Sequence, residues 1–261
     1  MVRTPRFNYF IGHKPPEFKI WEGFEFYVPN AEVFQTKSHL KNGNLLGEYA
    51  SLFLLYEKLN SENCREGTIT ICQYRRFVLN IRLGLKAENA PWCTFLTLSQ
   101  MRDFEPGDKF DPLNNNSSLL ASPISVPNGV LSQYGSCHHI RDIMMFAATL
   151  IDFGILDENE ASDFLSSKIL IPSPSCGTFE VAGFMEVIGI LKKATEAFFY
   201  TNYKKYTDHY QQRVIGFLLE RLHSYLLIKN FSQKGLNPFE MVGFTTVLSE
   251  GSFLKLSSQS A

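Results

Sequence analysis

The run Ile69-Thr70-Ile71-Cys72-Gln73-Tyr74-Arg75-Arg76-Phe77 constrains the fold more than any other segment of the chain. A β-branched, apolar stretch of strand length passes, without an intervening turn, into two adjacent arginines flanked by aromatic rings. Such a stretch predicts a buried strand. Its charged end then falls at a sheet edge, and in open α/β sheets that edge is where ligands sit.

The surrounding pattern supports this reading. Phe7 to Ile11, Thr68 to Cys72 and Trp92 to Leu98 are short β-type runs, and Leu45 to Leu59 carries apolar residues at helical spacing between the first two. Strands alternating with a helix predict an α/β fold. A loop rich in Pro, Gly and Asp follows from Glu105 to Pro112, then the Asn/Ser patch 114–118. Beyond it the pattern is mostly helical: His138 to Phe153, Glu158 to Ser166, Phe179 to Phe199 and Gln211 to Phe231, with one short strand at Ile169 to Ile171. These shifts predict an α/β half over residues 1–130, a helical half over 131–240 and a C-terminal tail over 241–261.

Composition narrows the function classes. At 261 residues, 44% hydrophobic and 20% charged, the chain is neither disordered nor too short to bury a large core. A net charge of -1 gives no global field that would draw nucleic acid. Five cysteines form no C-x-x-C pair and no metal-finger spacing, and their odd number implies no disulfide framework, so a reducing compartment fits. No apolar run approaches the length that spans a bilayer, and the N-terminus lacks the apolar block of a signal peptide. The expectation is a cytoplasmic protein, compatible with peripheral contact at the inner membrane face. The 23 Phe, 11 Tyr and 2 Trp are a surplus that suits a thick core, stacking platforms for planar or sugar ligands, or both. The signatures G-x-G-x-x-G, G-x-x-x-x-G-K-[ST], H-E-x-x-H and G-x-S-x-G do not occur.

Three constellations carry chemistry. Gly12-His13-Lys14 follows the apolar run Tyr9-Phe10-Ile11, so His13 and Lys14 lie at a strand end, facing phosphate or base or forming an ordinary solvated turn. Arg75 and Arg76 offer forked donors and permanent charge to an anion, or form structural salt bridges. Strand alternation sends them to opposite faces, so one of the two meets a ligand unless the strand has ended. The third constellation is split between helices. Ile140, Ile143, Met144, Ala147 and Ile151 define one apolar stripe, which leaves His138, His139 and Asp142 together on another face as candidates for general-base work. In Arg213-Val-Ile-Gly216-Phe-Leu-Leu-Glu220-Arg221, Gly216 permits close approach of a backbone or ligand, and Glu220 shares a face with Arg213. Glu220 is therefore an active-site carboxylate or half of a buried ion pair.

The order "IGHKP", "GEYASLFLLYEKL", "ITICQYRRF", "SQYGSCHHIRDI" and "RVIGFLLERL" resembles the DUF4422 family of capsular-polysaccharide and O-antigen biosynthesis proteins, over about residues 7 to 230. Gln73 stands where the family pattern has His before Tyr-Arg-Arg. The resemblance implies a glycosyltransferase with an A-type nucleotide-binding fold that uses a nucleotide sugar such as a UDP-sugar, with galactofuranose among the sugars of the family. The acceptor would be a glycan or lipid-linked glycan. On this reading His13, Lys14, Tyr74, Arg75, Arg76, His138, His139 and Arg213 bind the donor. Asp142 and Glu220 are the candidate catalytic carboxylates: either would deprotonate the acceptor hydroxyl, with Asp142 assigned as the base and Glu220 as organiser of the donor-site arginines. No Asp-x-Asp occurs in the chain, so no metal and no further cofactor are expected, and fixed arginine charge would stabilise the departing diphosphate. The alternative is a non-catalytic carbohydrate- or partner-binding scaffold of a polysaccharide assembly complex.

Overall fold

The computed structural model describes residues 5–12, 14–27, 43–86, 92–113, 116–201 and 211–249. The chain runs β1 (Arg6–Ile11), β2 (Glu25–Tyr27), α1 (Gly43–Leu46), α2 (Glu48–Ser61), β3 (Thr68–Gln73), β4 (Arg76–Leu79), β5 (Leu85–Lys86), β6 (Cys93–Leu96), α3 (Leu98–Arg102), β7 (Leu119–Ala121), β8 (Ile124–Ser125), α4 (Gly129–Gly135), α5 (Ile140–Asp152), α6 (Glu158–Ser166), β9 (Ile169–Leu170), β10 (Gly177–Glu180), α7 (Val181–Tyr200), α8 (Val214–Gln233) and β11 (Val242–Leu248). The fold is mixed α/β, as expected.

Among the described residues the main sheet has the order β2-β1-β3-β10-β7-β11-β6-β5, with β4 pairing both β3 and β11. Strands β2, β1 and β3 are mutually parallel, and so are β7, β11 and β6. Between these groups β10 runs antiparallel to both β3 and β7. The carboxyl ends of β1 and β3 and the start of β10 therefore share one edge.

Side-chain alternation divides the core into two layers, one on each face of the sheet. Tyr9, Ile11, Ile69, Ile71 and Val78 join the large core with α2, α7 and α8. Phe10, Cys72, Phe77 and Leu79, from alternate positions of the same strands, enter a second core on the other face. There the Trp21 ring lies 5.0–5.5 Å from the rings of Phe10, Phe18, Phe24, Phe77, Phe104 and Phe110. Much of the aromatic surplus is thus spent on covering the sheet.

Three expectations are corrected. The tail expected over 241–261 begins instead with β11, which lies between β7 and β6 inside the sheet; residues from 250 on lie outside the described residues. Together β10 and β11 complete a sheet begun in the first half, so the boundary near residue 130 does not separate two folding units. The stripe on α5 is also not a single buried face. Ile143, Phe146, Ala147 and Leu150 are buried, whereas Ile140, Met144 and Ile151 are exposed, because the core takes the side of the helix that carries Phe146 and Leu150.

Candidate functional site

At the carboxyl edge of β3, side chains from three segments converge. Gln73, the last residue of β3, donates from Nε2 to Glu48 Oε1 at 3.1 Å and to Ser175 Oγ at 3.2 Å. The Ser175 hydroxyl donates to the same Glu48 oxygen at 3.4 Å. Glu48 opens helix α2, directly after Gly47, and Ser175 belongs to the turn that feeds β10. That turn is closed by Cys176 N–H donating to Ser173 O at 2.9 Å, with Pro174 at its first central position, a placement that suits its fixed φ.

Tyr74 and Arg75 form a two-residue turn, and Gln73 pairs across it with Arg76, the first residue of β4. The two arginines consequently part company. Arg76 Nη1 donates to Ser173 Oγ, and its guanidinium carbon lies 5.9 Å from the centre of the exposed Trp92 ring. Ser173 holds φ 53, a left-handed conformation that costs a non-glycine residue on the order of 1 kcal/mol. Arg75 turns outward, its guanidinium 5.4 Å from the centre of the Tyr74 ring, where Lys14 also lies at 5.4 Å. Lys14 is paired with Glu17. His13 lies outside the described residues.

Helix α8 brings a second guanidinium. Arg213 caps its N-terminus, and Nη2 comes so near Gly47 that a Cβ there would lie 3.1 Å away. Gly216 faces the Leu45 and Leu46 carbonyls, so the close backbone approach read from the sequence is present.

Electrostatics mark Glu48. Its side chain keeps some exposed surface, yet protein encloses it, and burial is the main cause that raises its carboxyl above the ordinary value. Repulsion from Glu220 acts in the same direction, while Arg76 and Arg213 oppose it. Burial also pushes the neighbouring Cys176 thiol up to about 12, which removes it as a nucleophile at neutral pH.

The polar seam continues along α8. Glu220 Oε2 pairs with Arg221 Nη1 at 3.0 Å; it is not the partner of Arg213 or Arg75. Arg221 is held in turn by Gln133 Oε1 and the Phe217 carbonyl, each at 3.2 Å. His138 stacks on Phe217 with ring centres 4.3 Å apart and tilts against Tyr134 at 4.7 Å. Burial, reinforced by Arg221, lowers its pKa to about 4, so the imidazole is neutral at pH 7. Deeper in the core, Tyr49 Oη lies 3.4 Å from His223 Nδ1.

The expected helical face of His138, His139 and Asp142 does not form. Helix α5 begins at Ile140, so both histidines precede it: His139 is the N-cap residue, and the Asp142 N–H donates to its carbonyl at 2.9 Å. Helical spacing does not apply to residues outside the helix. Asp142 itself is buried in the first turn of α5, at the α4–α5 junction rather than at the strand end.

Sequence reading missed Glu48, Ser173 and Ser175. Glu48 sits beside Gly47 at the start of a strongly apolar helix, a signal available in the string "GEYASLF". The serines carry none, because only the fold brings residues 173–176 beside residue 73. Among the described residues no three His, Cys, Asp or Glu side chains form a group suited to a metal ion. Asp111, a residue of the Pro, Gly and Asp-rich loop, is instead paired with Arg6.

The chain is a mixed α/β protein whose fold is similar to that of a solved glycosyltransferase. The solved structure that shows this likeness is the apo form of WbbM, a bifunctional glycosyltransferase: the TM-score is 0.69 at 16% identity, over 94% of this chain and 45% of that one. The chain thus spans less than half the length of that neighbour, and the likeness is one of fold. No family model matches the chain, and no curated protein matches it in sequence. Among the described residues no helix is long and apolar enough to cross a membrane.

Proposed function

We propose that this chain transfers a glycosyl group from a nucleotide sugar, such as a UDP-sugar, to a glycan or lipid-linked glycan acceptor. The observation that carries this reading is the convergence of Arg76 and Arg213 around Glu48, at the carboxyl edge of a sheet whose fold is like that of a glycosyltransferase. When the bond from the anomeric carbon to the donor breaks, negative charge develops on the diphosphate. Two fixed guanidiniums at that point stabilise it without a proton to lose and without a metal. Neutral His138, stacked on Phe217, and the Arg221–Glu220 pair extend the polar seam along α8, and we place the acceptor on that side of the site. In keeping with the family resemblance, the sugar is galactofuranose or a related hexose, the product belongs to a surface polysaccharide, and the work is done at the cytoplasmic membrane face.

A thermal-shift screen tests this reading. Nucleoside diphosphates and nucleotide sugars at about 100 times their Kd should stabilise the protein by about 2.7 kcal/mol, whereas free nucleosides should do far less. A folded protein that no nucleotide sugar or nucleoside diphosphate stabilises is a scaffold instead.

A further inference from the structure

We propose that Glu48 is the catalytic residue that takes the proton from the acceptor hydroxyl, a role the sequence gives to Asp142. The assignment rests on the glycosyltransferase reading above. Its first support is position. Glu48 stands at the carboxyl end of β3, while Asp142 stands at the start of α5 and Glu220 is committed to Arg221 at 3.0 Å. The second is restraint. One oxygen, Oε1, receives both the Gln73 amide at 3.1 Å and the Ser175 hydroxyl at 3.4 Å, and these two donors are themselves 3.2 Å apart. A triangle built from a strand end, a loop and a helix start fixes the carboxyl plane, as general-base catalysis requires.

The third support is the surrounding charge. Arg76 faces Glu48 from β4, Arg213 and Glu220 from α8, the Cys176 thiol from the turn before β10, and the Tyr49 phenol from its own helix. Burial and Glu220 raise the proton affinity of the Glu48 carboxyl, with Arg76 and Arg213 opposing them, so it binds a proton more strongly than a surface glutamate would. In the step itself the acceptor oxygen forms its bond to the anomeric carbon as the bond to the diphosphate oxygen breaks. The electron pair leaves with the diphosphate towards Arg76 and Arg213, and the hydroxyl proton passes to Glu48. Gln73 is then a positioning residue.

Glu48→Gln keeps the shape and removes the base. It should retain nucleoside-diphosphate affinity within about threefold while turnover falls about 10²–10⁴-fold, and the residual activity should lose the acidic limb of the wild-type pH profile. Turnover within about threefold of wild type, or an unchanged acidic limb, overturns the assignment. If Glu48→Gln does not fold, Gln73→Ala serves: a fall in kcat with donor KM little changed supports the proposal, and an unchanged kcat overturns it. Wild-type protein that turns over no nucleotide sugar refutes the glycosyltransferase reading instead. In that event a carbon-13 titration of Glu48 still decides. A carboxyl raised above the ordinary glutamate value and shifted by added UDP supports proton handling at this site, and one that titrates normally and ignores UDP overturns it.

Discussion

Arg213 Nη2 stands where a side chain on Gly47 would begin: a Cβ on Gly47 would lie 3.1 Å from it. Gly47 also holds φ 59, so the position favours glycine for its backbone, and a Cβ there would push the guanidinium end aside by a few tenths of an ångström. The start of α2 and the start of α8 are thereby made to fit each other, and the site lies where they meet β3.

Gly47→Ala should therefore do two things. A backbone at φ 59 and ψ -132, which glycine enters far more readily than alanine, costs alanine on the order of 1–3 kcal/mol of stability. Shifting Arg213 should in addition weaken nucleoside-diphosphate binding, by up to about tenfold, the worth of one charge-assisted bond. Calorimetric titration alongside a melting curve checks both, and loss of stability with affinity intact would separate Arg213 from the ligand.

The two arginines of the β3–β4 turn should differ. Arg76→Ala removes a guanidinium that faces Glu48 and Ser173, and should cost at least tenfold in diphosphate affinity while leaving nucleoside affinity little changed. Arg75→Ala removes an exposed group lying over Tyr74 and should change affinity by about twofold or less. Equal losses would mean that the ligand spans both faces of the turn.

Transfer should survive excess chelator. The chain has no Asp-x-Asp, and among the described residues no three candidate ligands cluster. Loss of activity with chelator and rescue by Mn²⁺ or Mg²⁺ would contradict the arginine account.

Stability should fall as the pH is lowered, for a reason shared by two buried imidazoles, His138 and, more strongly, His223. Burial depresses the His223 pKa from 6.5 to about 3, so the unfolded chain binds the proton more readily than the folded one. The contribution is complete above pH 6.5 and is lost progressively as the pH falls towards 3. Its slope is at most about 1.4 kcal/mol per pH unit. His223→Gln should flatten the pH dependence of the melting temperature across that window, and an unchanged slope would show that other groups cause it.

The sequence was most legible where local rules decide the outcome. Helix α6 falls on its expected residues because Asp157 and Glu160 form a capping box, a signal contained in four consecutive residues. Strand β3 was legible as a β-branched run ending in charge. By contrast β10, only Gly177–Glu180, adjoins α7, and its last two residues, Phe179 and Glu180, fall inside the helical pattern expected from Phe179. Its strand state comes from pairing with β3 and β7, which are far away in sequence. Strand β11 was likewise invisible because its partners are residues 76–79, 93–96 and 120–121. The site follows the same division. Arg76 and Arg213 could be singled out as charged residues at element ends, but Glu48, Ser173 and Ser175 gain their meaning only from the edge they share.

The most direct test of the account is nucleoside-diphosphate release from a panel of nucleotide sugars in the presence of a glycan acceptor, with Arg76→Ala run beside the wild type. The account predicts that the wild type releases the diphosphate from one class of donor and that Arg76→Ala does so at least tenfold more slowly. A wild type that releases none from any donor, or an Arg76→Ala protein that matches it, would contradict the account.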